Sequence, residues 1–198
     1  MARSDAPMLS LKDLEDFLDA VDRALGPPID LVLVGGTAVQ LLCRDPDRRT
    51  RDIDTLSTDT IPVLVQIAAT HLQPIDINDR AALFESYLPD DWQDRVRLVF
   101  DGPRKRLRVV VPCPEDLAIM KVFRMGPKDE DDLLKLASLP GFDREGFRDR
   151  FLRLLPVAIG PERRHAQFFA EAWNGLFPDE LPLDIDDVLK AAGAVRSA

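Results

Sequence analysis

Between Leu31 and Asp54 the chain reads LVLVGG, then TAVQLLCRDPDRRT, then RDID, and this stretch limits what the chain can fold into more than any other. The run Leu31, Val32, Leu33, Val34 has the length and branching of a buried strand. Gly35 and Gly36 follow it directly, so the backbone can turn sharply and a ligand can approach where a Cβ would intrude. A helix is expected to open at Thr37 and to run to Arg44, with Ala38, Val39, Leu41 and Leu42 packed on a sheet. Its first N–H groups have no partner within the helix, and with the helix dipole they favour an anion such as a phosphate. Asp52 and Asp54 stand two apart on what reads as a second strand, so both side chains leave the same face. Two carboxylates beside a phosphate seat suit Mg²⁺ or Mn²⁺. Each piece alone is commonplace: a glycine pair makes ordinary turns, and Asp-x-Asp marks many solvated strand edges. Their order carries the inference, because strand, glycine turn, helix and acidic strand bring phosphate and metal together through short connections.

The remaining chain supplies elements around this unit. Ser10 to Leu25 predicts an amphipathic helix, with Leu11, Leu14, Phe17, Leu18, Val21 and Leu25 on one face, Ser10 as N-cap and Asp13 three residues on. Arg44, Arg48, Arg49 and Arg51 crowd the approach to Asp52, either as a solvated loop or as cations for a triphosphate or RNA backbone. Pro62 to Leu72 predicts a helix with His71 at its end as a surface or capping residue. Ile75 to Ile77 suggests a short extended piece, and Asn78-Asp79 a cap for a helix from Arg80 to Tyr87, with Asp76 and Asp79 as outlying candidate acids. Arg97 to Phe100 and Leu107 to Val111 predict two strands joined like a hairpin. Pro114 to Met125 predicts a helix on which Lys121 and Arg124 lie three apart on one face, by pattern alone exposed charges. Helices follow over Asp129 to Leu139, Asp143 to Leu155 and Pro161 to Leu176, and a weaker one over Asp184 to Ala192 before a fraying end. Phe147, Phe151, Phe168, Phe169 and Trp173 are expected to pack a core rather than to stack bases.

VGGTAVQLL followed by RRTRDIDTL resembles the nucleotidyltransferase superfamily with the DNA polymerase β-like fold, and within it the branch of AbiEii-type toxins and uncharacterised nucleotidyltransferase-like proteins. PEDLAIMKVFRMGPKDEDDLLKL, from Pro114 to Leu136, is similar to that branch's downstream motif. The resemblance implies an α/β (α+β) fold with a mixed sheet flanked by helices, and a site in which Asp52 and Asp54 bind the metal. It further implies that Gly35, Gly36, Thr37, Arg51 and Arg124 face the nucleotide, that Lys121 contacts phosphate, and that Asp129 and Asp132 orient Lys121 or complete the site. Many enzymes of the superfamily carry a third carboxylate on a later strand, but Leu107, Arg108, Val109, Val110, Val111 offers none, so the general base is unassigned. The activity implied is transfer of an NMP from an NTP to a hydroxyl of RNA, such as a tRNA 3′ end, or of a protein. A toxin role with an antitoxin partner goes with it. The rival is a catalytically silent nucleotide-binding or protein-interaction module of the same fold.

At 198 residues the chain can bury a proper core, and it is expected to comprise a nucleotidyltransferase-like part to residue 136 and a helical extension over 137–198. The net charge of −9 argues against non-specific nucleic-acid binding, which rests on phosphate neutralisation. Cys43 and Cys113 lie far apart and form neither a zinc motif nor a disulfide framework. With no signal-like or membrane-length apolar run, a cytoplasmic location is expected.

Overall fold

The computed structural model of the chain describes residues 8–71, 74–78 and 80–196. They form a mixed α/β structure in two compact units. The first runs to Leu83 and takes in Val96–Pro112; the second comprises Phe84–Arg95 and the chain from Cys113 on.

The first unit opens with helix α1, Leu11–Ala24. Ser10 caps it in a reciprocal box: its hydroxyl accepts from the Asp13 amide at 3.1 Å, and the Asp13 carboxylate accepts from the Ser10 amide at 2.8 Å. Strand β1, Ile29–Val32, leads into helix α2, Gly35–Cys43. Both begin two residues earlier than the apolar pattern suggests. The reason is that Val34 has already left the sheet and serves as the N-cap of α2, so the glycines form its first turn and Thr37 stands inside it. Strand β2, Asp52–Asp54, is as expected, with Ile53 fully buried between two partly exposed aspartates. Helix α3, Ile61–Ala68, is followed by strand β3, Asp76–Asn78. Residues Ala81–Tyr87, expected as an α-helix, instead form a 3₁₀ stretch, in keeping with a short segment that buries little. Leu72, Asp79 and the last two residues, on which a helix end, a cap and fraying are expected, lie outside the described residues. The His71 ring packs edge-on against Phe17, with centroids 5.6 Å apart.

Strands β4, Arg97–Asp101, and β5, Leu107–Val111, form the expected antiparallel hairpin, with an irregularity between Leu98 and Phe100. The sheet order is β1-β5-β4, with β1 parallel to β5. Strands β2 and β3 pair in parallel as a separate ribbon. The buried Asp22 of α1 holds the hairpin turn: one carboxylate oxygen accepts from the Arg104 amide at 2.7 Å, the other from the Arg106 and Leu107 amides at 2.9 Å each. Gly102 makes this approach feasible, since a Cβ there would lie 2.2 Å from the carboxylate. Burial alone would push the Asp22 carboxyl up, but the three backbone donors outweigh it and hold it below its ordinary range. Its contribution to stability is therefore complete above the unfolded value of about 3.9 and is lost as the pH falls through the lower folded value. Asp22→Asn should melt well below wild type at pH 7, and the two melting curves should converge as the pH falls below about 4. Thermal melts across pH 2–7 that run parallel would contradict this.

The second unit is helical: α4, Pro114–Arg124; α5, Asp129–Ala137; α6, Arg144–Leu154; α7, Glu162–Leu176; and α8, Ile185–Arg196. Phe147, Phe151 and Phe169 are fully buried, and the Phe151 and Phe169 rings stack with centroids 4.1 Å apart, so these aromatics are core as expected. Phe123 extends the stack from Phe151, and Tyr87 extends it from Phe123. No helix among the described residues is long and apolar enough to cross a membrane.

Candidate functional site

The glycine turn and β2 are locked to each other through both backbone and side chains. The Val34 amide donates to the Asp54 carbonyl at 3.0 Å, which sets the start of α2 beside the end of β2. Gly35 has φ +65°, and a Cβ there would sit 2.0 Å from Asp54 Oδ2 and 2.8 Å from its Cγ. The Asp54 carboxylate thus lies directly against the α-carbon of Gly35, at the positive end of the helix dipole. A Cβ at Gly36 would lie 2.8 Å from Arg48 Nη2 and 3.2 Å from Thr50 Oγ1. Thr37 is fully buried, and its hydroxyl donates to the Asp52 carbonyl at 2.7 Å, where Thr50 also donates at 3.2 Å. Its one proton is committed to the strand, so in this geometry the hydroxyl does not donate to a phosphate.

Gly35→Ala should cost about 1–2 kcal/mol from the left-handed backbone alone. It should also drive the Asp54 carboxylate from its place. The expected result is a folded protein with a lowered melting temperature whose site chemistry falls as far as with loss of Asp54 itself. A Gly35→Ala protein that keeps wild-type behaviour in both respects would show that the close approach has no role.

Strand β3 completes the acidic face. The parallel register sets Asp52 beside Asp76, Ile53 beside Ile77 and Asp54 beside Asn78. With side chains alternating along each strand, Asp52, Asp54, Asp76 and Asn78 share one face. Asn78 Nδ2 donates to Asp54 Oδ1 at 2.6 Å, while Asn78 Oδ1 accepts from the Arg80 amide at 3.0 Å. Among the described residues no group of three or more His, Cys, Asp or Glu is close enough to hold a metal ion by itself. Two carboxylates on one face nevertheless fit Mg²⁺, which takes one or two protein carboxylates together with substrate phosphates rather than a complete protein cage. Of the arginines ahead of β2, Arg51 is exposed. Arg44 pairs with Glu15 at 2.7 Å, and Arg49 donates to the Pro46 and Arg48 carbonyls. Arg48, not singled out from the sequence, is the one whose guanidinium rests at Gly36.

The second unit holds the other residues that the sequence motif points to. Lys121 is 2% exposed, and its ammonium donates to Asp129 Oδ1 at 3.0 Å and to Asp132 Oδ2 at 2.6 Å. Asp129 is itself fully buried and also accepts from Arg124 Nε at 3.0 Å, from Arg124 Nη2 and from the Gly126 amide at 2.6 Å. Burial would raise its carboxyl, but the Arg124 hydrogen bonds and the Lys121 charge prevail and hold it below the ordinary carboxylate range. The structure therefore joins Lys121 to Asp129 and Asp132, and Arg124 to Asp129. The pattern-based expectation of an exposed Lys121 is corrected: α5 carries its carboxylates onto α4 and encloses the ammonium. At the other end of α4 the buried Asp116 meets Arg95 at 3.0 Å and Arg150 at 2.9 Å. Burial pushes the Asp116 carboxyl up in spite of both guanidinium groups. Burial, with the Asp116 charge, also pushes the Cys113 thiol up to about 12, so it is not a nucleophile at neutral pH.

No curated protein and no solved structure matches the chain. A family profile described as "Nucleotidyltransferase of unknown function (DUF6036)" matches residues 10–174, so the glycine turn, the acidic face and the Lys121 cluster all lie within the match. The chain belongs to that nucleotidyltransferase family.

Proposed function

We propose that this nucleotidyltransferase-family chain moves a nucleoside monophosphate from an NTP to an acceptor hydroxyl, at the face formed by β2, β3 and the start of α2. The observation that supports it most is the Asp54 carboxylate seated against Gly35 at the opening of a helix, with Asp52 on the same face. Asp52 and Asp54 would hold Mg²⁺ or Mn²⁺, which when bound offsets the charge of the triphosphate and draws its oxygens into line. The Gly36 amide, in the first turn of α2, is the phosphate donor, and Arg48 beside it supplies a planar cation suited to phosphate oxygens. Thr37 serves the site by fixing β2 to the helix start.

In the reaction the acceptor oxygen bonds to the α-phosphorus, the bond from that phosphorus to the bridging oxygen breaks, and pyrophosphate leaves. Asp76, exposed and in register with Asp52, is the carboxylate assigned to take the acceptor proton. In this reading Lys121, Asp129 and Asp132 hold the second unit together rather than touch substrate. The resemblance of the two motif blocks to AbiEii-type toxins supports an RNA 3′ end, such as that of tRNA, or a protein hydroxyl as acceptor, and an antitoxin protein as partner.

The test is transfer of label from each of the four α-³²P NTPs to tRNA or to cell-extract protein, with Mg²⁺ or Mn²⁺. Metal-dependent labelling is expected, and the labelled species identifies the acceptor class. No labelling with any nucleotide or metal would favour the non-catalytic nucleotide-binding module instead.

A further inference from the structure

We infer that Asn78 is a positioning residue for the metal seat: its amide holds the Asp54 carboxylate in the orientation in which Asp54 can serve as a ligand. The inference rests on the proposed metal-dependent reading of this face. The argument begins with the amide itself. An asparagine side chain offers one acceptor and two donor hydrogens on opposite sides, and it can be turned over unless its partners forbid it. Here they do. Asn78 Oδ1 accepts the Arg80 amide at 3.0 Å, a group that only donates, so Nδ2 must point the other way. That way lies Asp54 Oδ1 at 2.6 Å, a group that only accepts. The contact is short, charge-assisted and fixed in direction by the backbone of the residue that follows Asp79.

The second constraint on Asp54 comes from the opposite side. Its Oδ2 lies against the α-carbon of Gly35, in the space a Cβ would take. The carboxylate is therefore gripped between β3 and the first turn of α2, and its plane cannot rotate without breaking one contact or colliding with the other. Asp52 has no such partner across the ribbon: its register neighbour is Asp76, another acid. Of the two carboxylates on β2, Asp54 is the oriented one, and Asn78 orients it. Hydrogen-bond partners behind a metal ligand commonly change metal affinity or activity by about 10–100-fold when removed, because they fix the ligand without touching the metal.

Mn²⁺ binding provides a readout separate from activity. The free ion is counted by electron paramagnetic resonance in titrations of wild type, Asn78→Ala, Asp54→Asn and the double variant, each checked for folding by circular dichroism. Asn78→Ala should weaken Mn²⁺ binding by about 10–100-fold in the wild-type background. In the Asp54→Asn background the same change should have little further effect, since the residue acts through Asp54. A general structural role, such as capping the turn at Arg80, would weaken binding equally in both backgrounds and would overturn the inference. Wild-type affinity in Asn78→Ala would also overturn it. Wild-type protein that binds no Mn²⁺, alone or with an NTP, would instead remove the metal seat and this role together.

Discussion

The Asp52→Asn, Asp54→Asn double variant should lose nucleotide transfer by at least about a thousandfold while remaining folded. Both carboxylates stand on the face that β2 shares with β3, and the substitution removes both negative charges that could seat a divalent cation. It leaves what holds the strand. The β2 backbone pairs with β3, the Asp52 carbonyl still receives the Thr37 and Thr50 hydroxyls, and the Asp54 carbonyl still receives the Val34 amide. An asparagine at position 54 also keeps an oxygen for Asn78 Nδ2. The change in stability should therefore be no more than about 1 kcal/mol, the ordinary range for a partly exposed polar substitution. Loss of transfer with a preserved melt would tie the chemistry to this face. Undiminished transfer in the double variant would place the chemistry elsewhere in the chain.

What could be read in the sequence was the part of the site made by neighbours along the chain. A helix at the glycine pair and the same-face spacing of Asp52 and Asp54 follow from local periodicity, and the structure contains both, with the helix opening at Gly35 rather than at Thr37. The Ser10–Asp13 box was legible for the same reason. The contact of Asn78 with Asp54 was not, because 24 residues separate them and the contact depends on a parallel register between two three-residue strands. A register slip of one residue would have turned Asn78 to the other face, and composition alone does not decide between the two. Arg48 was hidden in a run of similar arginines, and only the missing Cβ of Gly36 distinguishes it. Lys121 was misplaced by its pattern. Its spacing from Arg124 describes one face of α4 but not what covers that face, and the acids at Asp129 and Asp132 were the sign that something oppositely charged would.

Lys121→Met should destabilise the second unit by about 3–5 kcal/mol, the cost of breaking a buried ion group by removing one member. Asp129 retains Arg124 and the Gly126 amide when the ammonium is removed, whereas Asp132 loses its 2.6 Å contact with Lys121. The pH dependence should shift as well. Asp129 is held below its ordinary range, so its contribution is complete above about pH 3.9 and is lost as the pH falls through the lower folded value. Without the Lys121 charge that folded value rises towards the unfolded one, and less stability remains for acid to remove. The stability of Lys121→Met should accordingly fall less steeply than wild type's below about pH 4. A lysine that served only to bind phosphate would behave in the opposite manner: its loss would raise the KM for NTP and leave the melt where it was. Equilibrium unfolding of Lys121→Met beside its nucleotide kinetics separates the two, and an unchanged melt with a raised KM would return Lys121 to the substrate.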